Sequence, residues 1–524
     1  MAEEQDVDTG LIALAMHKLS IDNTNVTDVL TDCNIYLNKL NRTDLYKSAV
    51  LMDLNLIFDC LNTNDQNQID MSCLLLQKLL SVLPPNYAFN KYSVSIERSL
   101  QHPNDTVKST ILSELEKMLA IDNSVEIQVD LACTIIDSLK SNDMSVSYNA
   151  VKCLKQFQSV ETLSSLPILS RFQSIVAMDA KIRTRAYDIL FHWAKSIEAL
   201  ALITSKGLFA NLVSDITNPD IMMQMVTIQM LIPLTTTEHG FDYLNSIGII
   251  SGLYRLLSSC PKELDDPSAV ILNPVVLEFF IKITKIRPQL ILTSYPKVFD
   301  VVCDILKEGD DPILVGVVIN GITSLASSWD CKVALDTSLQ GLMYDQPGED
   351  NSDVWSTLIV QLSNIAVSTK TELKAAAIQA IARIIQIEPG ELSTKADMLT
   401  RTQKWYKRIE NDPIKTIVYA ACKLPFLEPQ LAGFEMLQVL AEQPWGLEEI
   451  NKCPSLVELV VKHCPADPVN VVNAKKAIVK TLIESDSAKD LLHDNILSSL
   501  KNNSIGHTKT QSNDEVLVED MAMQ

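Results

Sequence analysis

The residues able to do covalent or metal chemistry are few and scattered. Eleven cysteines stand at positions 33, 60, 73, 133, 153, 260, 303, 331, 422, 453 and 464, and no two are separated by two residues, as a zinc ribbon or a dithiol redox pair requires. Cys453, His463 and Cys464 form the one close Cys/His group. A zinc ion needs four ligands, or three and a water, so this group falls short by itself. The seven histidines lie far apart, and a Cys–His nucleophile pair would have to come from tertiary contact. Gly316 and Gly321 have the spacing of phosphate-loop glycines, but Ile322 stands where the lysine that reaches the phosphates belongs. A nucleophile elbow, a His-Glu-x-x-His pair, the kinase set and a Gly-x-Gly-x-x-Gly fingerprint are missing. The sequence thus predicts no enzyme, no cofactor, no metal, and reduced thiols that pack as small hydrophobes.

Binding chemistry is narrowed in the same way. With 65 acidic against 44 basic side chains, the net charge is −21 and no run of Lys and Arg exceeds two, so nucleic acid is an unsuitable partner. No apolar run approaches the ~18 residues that span a bilayer. The acidic start MAEEQDVDTG is unlike a signal or transit peptide, and the end MAMQ carries no lipidation or retention signal. We expect a soluble protein of the cytoplasm, with the nucleus as a second compartment. A Trp/Asn ladder of the kind that reads basic peptides is also missing. The residues four after each tryptophan are Ile197, Val333, Ile359, Ile409 and Glu449.

What must position any surface is helical. From about residue 11 to 500 apolar residues recur at three and four, one helix face, with almost no strict alternation. Asn104, Asp143, Asp179 and Asp220 are separated by 39, 36 and 41 residues. Three, seven, eleven and fourteen positions after them come Val107, Val146, Ile182, Met223; Ile111, Ala150, Ala186, Thr227; Leu115, Leu154, Leu190, Leu231; and Met118, Phe157, Trp193, Leu234. These offsets trace one helical stripe, and each anchor is a short polar residue suited to an N-cap. The same grammar precedes helices at Asp310 to Pro312, Ser368 to Thr371, Glu428-Pro429 and Asp467-Pro468.

Such a period, built from helix pairs, predicts an all-α HEAT/armadillo-like right-handed α-solenoid forming a curved rod over residues 11–500. The repeat geometry is expected to distort around 240–305 and 346–353. Residues 1–10 and the acidic tail 501–524 lose helix periodicity and are expected to be disordered.

Offsets 5, 9 and 12 point off the stripe and give Ser109, Ser113, Glu116; Tyr148, Lys152, Lys155; Thr184, Asp188, Phe191; and Met225, Gln229, Ile232. Tyr148, Phe191 and Ile232 are apolar for such a face. Either they pack sideways on neighbouring repeats or they anchor a partner. On the second alternative Tyr148 and Phe191 are the anchors, flanked by Lys152 and Asp188 to fix register.

Several stretches resemble the 26S proteasome non-ATPase regulatory subunit 5 family: HPNDTVKSTILSELEKML at 102–119, EHGFDYLNSIGIISGLYRLL at 238–257, residues 293–328, and 434–485 with its distinctive Ala441-Glu442-Gln443-Pro444-Trp445. The likeness covers most of the chain in order, with 11–90 and the tail more diverged. It implies a non-catalytic chaperone for assembly of the base of the proteasome regulatory particle. Such a protein is monomeric when free, binds the C-terminal domain of one AAA ATPase subunit in an intermediate with a second ATPase and a large non-ATPase subunit, and leaves before the mature proteasome. The resemblance carries no binding residue over by position. A permanent scaffold or cargo adaptor is the competing reading.

Overall fold

Four short polar side chains open four helices, each by accepting a backbone amide that the first turn would leave unpaired. Asn104 Oδ1 accepts from Thr106 N at 2.8 Å, Asp143 Oδ1 from Val146 N at 2.9 Å, Asp179 Oδ1 from Ile182 N at 2.9 Å and Asp220 Oδ1 from Met222 N at 3.0 Å. Asp311 does the same for Ile313 at 2.9 Å. Two expected starts differ. Glu428-Pro429 lies inside the first turn of its helix, where Phe426 occupies the cap position without a side-chain bond. Asp467 does not cap either: Pro468 occupies the cap position, and the Asp467 carboxylate pairs with Lys475 at 2.6 Å.

The computed structural model describes His17 and residues 25–500, apart from 122–127, 158, 219, 259–266, 310, 338–353, 369–370, 388–394, 410, 463, 466, 495 and 499. The termini 1–10 and 501–524 and the loop 346–353 lie outside the described residues. Among the described residues the regular structure is entirely helical. It falls into two compact units that divide at Ile249/Ile250, inside the stretch where irregularity is expected.

In the first unit the second helices of successive pairs pack on one another in chain order: α1 (Val26–Leu37), α2 (Gln66–Leu80), α3 (Asp105–Ile121), α4 (Met144–Lys155), α5 (Ala180–Trp193) and α6 (Ile221–Thr235). In the second unit the row is α7 (Pro267–Ile286), α8 (Pro312–Leu325), α9 (Thr371–Ile385), α10 (Leu427–Ala441) and α11 (Val469–Glu484). The fold of each unit is a HEAT/armadillo-like array of helix pairs.

Thirteen of the sixteen stripe residues named above are buried, and Ile182, Met223 and Phe157 are half-buried. Each buried Leu or Ile contributes about 1.5–3 kcal/mol. The polar exception, Thr227, is buried with its hydroxyl donating to Met223 O at 2.8 Å, so it costs no unpaired group.

Hydrogen bonds between neighbouring pairs carry the same period. His102 Nε2 bonds Leu61 O at 3.1 Å, Asn149 Nδ2 donates to Ser109 O at 3.0 Å and Gln438 Nε2 to Thr481 Oγ1 at 2.6 Å, with partners 41, 40 and 43 residues apart. A corner recurs as well. A Cβ on Gly240 would stand 2.1 Å from Leu234 O, and one on Gly446 2.1 Å from Leu440 O. In both units the chain leaving a second helix turns so tightly that only glycine fits six residues on.

Candidate partner-binding surface

None of the chemical candidates assembles into a reactive site among the described residues. Gly316 and Gly321 lie within α8, and a Cβ on Gly321 would meet Ile281 Cδ1 of α7 at 2.4 Å, so this glycine serves helix packing. Cys453 is buried and Cys464 exposed, while His463 lies outside the described residues. No group of three metal-ligating side chains occurs among those described. Burial pushes the thiols of Cys33, Cys60 and Cys73 up to about 11 and that of Cys303 to about 12, with carboxylates nearby adding to the rise. This is opposite to what a nucleophilic cysteine needs. Three of the indoles pack in the cores with their N–H bonded: Trp355 Nε1 donates to Lys332 O at 2.8 Å, Trp405 Nε1 to Asp336 Oδ1 at 3.0 Å and Trp445 Nε1 to Gln443 Oε1 at 2.9 Å.

The surface residues expected on α4 and α5 are brought together only in part. Tyr148 is 59% exposed, and the Lys152 ammonium lies 4.7 Å from its ring centroid, a cation–π pair on an open helix face. Asp188 pairs with Lys155 at 2.7 Å rather than with Lys152, and so ties α4 to α5. Phe191 must be withdrawn from this surface. It is 1% exposed, in a row of rings that runs from Tyr187 through Phe191 and Phe209 to Tyr243, with centroids 5.7, 4.9 and 6.0 Å apart. The row is anchored at Tyr187, whose hydroxyl donates to Asp215 Oδ2 at 3.1 Å while Arg183 grips the same carboxylate. Ile232 is half-buried.

The open side of α5 is turned relative to α4 and carries Lys181, Arg185, Asp188 and His192, positions spaced by four, three and four. Sequence reasoning missed Lys181, Arg185, His192 and the neighbouring Lys195. Arg185 donates through Nη1 to Leu139 O at 2.6 Å and Ser141 O at 2.7 Å, at the foot of α4. There Met144, 66% exposed, stands with its sulfur 3.9 Å from Arg185 Nη2. His192 is held below its ordinary value by burial and then by the charges of Lys195 and Lys155. A signal did exist in the sequence: residues 144–195 hold seven Lys and Arg against three Asp and Glu in a chain of net charge −21.

Comparison with known proteins shows to which family the chain belongs. The family described as "Proteasome non-ATPase 26S subunit" matches residues 14–505. The chain belongs to that family. It is 25% identical over 464 residues to the 26S proteasome non-ATPase regulatory subunit 5 of Bos taurus, covering 87% of this chain and 88% of the bovine protein. To the Homo sapiens protein of that name it is 24% identical over 461 residues, 86% of this chain and 87% of the relative. To that of Drosophila melanogaster it is 22% identical over 428 residues, 79% and 80%. The relatives are named as regulatory, non-ATPase subunits, a name without catalysis. In this member of the proteasome non-ATPase family the helix pairs carry a mixed apolar and basic face on α4 and α5.

Proposed function

We propose that this protein is a non-catalytic chaperone for assembly of the base of the 26S proteasome regulatory particle. It binds the C-terminal domain of one AAA ATPase subunit in an intermediate that also holds a second ATPase and a large non-ATPase subunit, and it is released before the proteasome matures. The observation that carries the reading is the family match across residues 14–505. The helical array supports it, since stacked helix pairs offer extended surfaces to partners, and so do the thiols of Cys33, Cys60, Cys73 and Cys303, shifted away from reactivity. The free protein is a cytoplasmic monomer.

The test is recovery of the tagged full-length chain from cell extract at endogenous level. A chaperone comes with free ATPase subunits and little of the mature proteolytic core. Stoichiometric recovery with the finished proteasome would instead make the protein a permanent scaffold.

A further inference from the structure

We infer that the face built by α4 and α5 is a docking site for an acidic segment of a partner protein that bears an aromatic or large apolar side chain. Under the function proposed above, on which the client's identity rests, that segment belongs to the ATPase. The ring or aliphatic group seats between Met144 and Tyr148, and its carboxylates meet Lys152, Arg185 and Lys195.

The charge balance argues for this occupant. Among the described residues Lys152, Lys181 and Lys195 have no carboxylate partner, while Arg185 holds two carbonyl oxygens and the Met144 sulfur and feels the charge of Asp179. Two of the three acidic residues of the stretch are otherwise engaged: Asp188 with Lys155, and Asp179 as the cap of α5. Three lysines are thus left without an ion pair in a protein that elsewhere carries excess negative charge.

The apolar part is equally specific. Met144 and Tyr148 lie one turn apart on α4, both largely exposed, with a basic group against each. A thioether and a phenol ring side by side suit a flat or branched apolar group, and the flanking charges reject a basic one. Nucleic acid would also meet cations here, but the remainder of this chain repels a polyanion.

The test uses the full-length chain with substitutions at exposed positions, Lys152→Glu with Lys195→Glu and separately Tyr148→Ala, each required to melt as the wild type does. Affinity is measured at low and physiological salt for isolated base ATPase subunits, for a labelled peptide of repeated Glu-Glu-Phe, for its Lys-Lys-Phe counterpart and for single-stranded DNA. The expected result is that one ATPase subunit and the Glu-Glu-Phe peptide bind the wild type. The charge-reversed protein should lose about tenfold or more for both, with a shallower salt dependence, and Tyr148→Ala should lose severalfold. Undiminished ATPase binding by the charge-reversed protein overturns the assignment of this face while leaving the chaperone reading standing. Failure of the wild type to bind any ATPase subunit overturns the chaperone reading, and the peptide pair then decides the face alone. Equal binding of the two peptides, or tighter binding of DNA that is lost on charge reversal, overturns the acidic-protein occupant.

Discussion

Phe191 of α5 and Phe209 lie with ring centroids 4.9 Å apart and their planes inclined by 31°, joining one helix pair to the next through aromatic contact. Phe191→Ala would open a cavity in that row, and the expected loss is about 3–5 kcal/mol. The protein that remains folded should bind its partner as before. Urea unfolding alongside an affinity measurement separates the two, and an affinity loss without a stability loss would return Phe191 to the surface.

The cap at Asp143 is a local test of the repeat. Its carboxylate satisfies Val146 N, so Asp143→Ala should cost about 1 kcal/mol, whereas Asp143→Asn, which keeps an acceptor, should cost a few tenths. Equal urea midpoints for the two variants would show that the cap contributes nothing.

Asp336, with a side chain only 6% exposed, accepts from Lys404 at 2.9 Å and Trp405 Nε1 at 3.0 Å and pairs with Arg401. Burial alone would raise its pKa, but these hydrogen bonds and charges outweigh burial and hold it below the ordinary carboxylate value. The folded protein therefore favours the charged form. The resulting stability is present above the unfolded pKa of about 4 and is lost as pH falls through the lower folded value. Asp336→Asn should abolish that acid-side slope. At neutral pH it should cost about 3 kcal/mol, the low end for a buried pair because Lys404 is partly solvated. Melting curves between neutral pH and pH about 3 decide it, and an unchanged slope would sink the assignment.

Gly321 lets α8 lie against α7. In Gly321→Ala the new methyl would meet Ile281 Cδ1 at 2.4 Å. The variant should lose about 1–3 kcal/mol despite alanine's better helix propensity. Ile281→Val removes that terminal carbon, so the double variant should be more stable than the sum of the single losses. Simple additivity would place the strain elsewhere.

Much of the array was legible because it is local. Asn104, Asp143, Asp179 and Asp220 cap helices because a short polar side chain before an apolar stripe finds the free amides within its own first turn. The stripe is buried because offsets 3, 7, 11 and 14 share one side of any α-helix, whatever lies beyond it. The rule failed at α11, where Pro468 and not Asp467 occupies the cap position and Asp467 pairs instead with Lys475, farther along the same helix.

The sequence by itself determined that the chain is all helical, where most second helices begin, which side of each enters the core, and the family to which it is similar. Only the tertiary structure decided the other sides. A helix in such an array is packed both by its own pair and by the next pair, and how far it turns between them depends on contacts tens of residues away. On α4 that turn leaves Tyr148 and Lys152 in solvent. On α5 the row from Tyr187 to Tyr243 and the Asp215 carboxylate draw Phe191 inward, and they leave His192 exposed and Arg185 half-buried beside a surface that periodicity had assigned to Phe191.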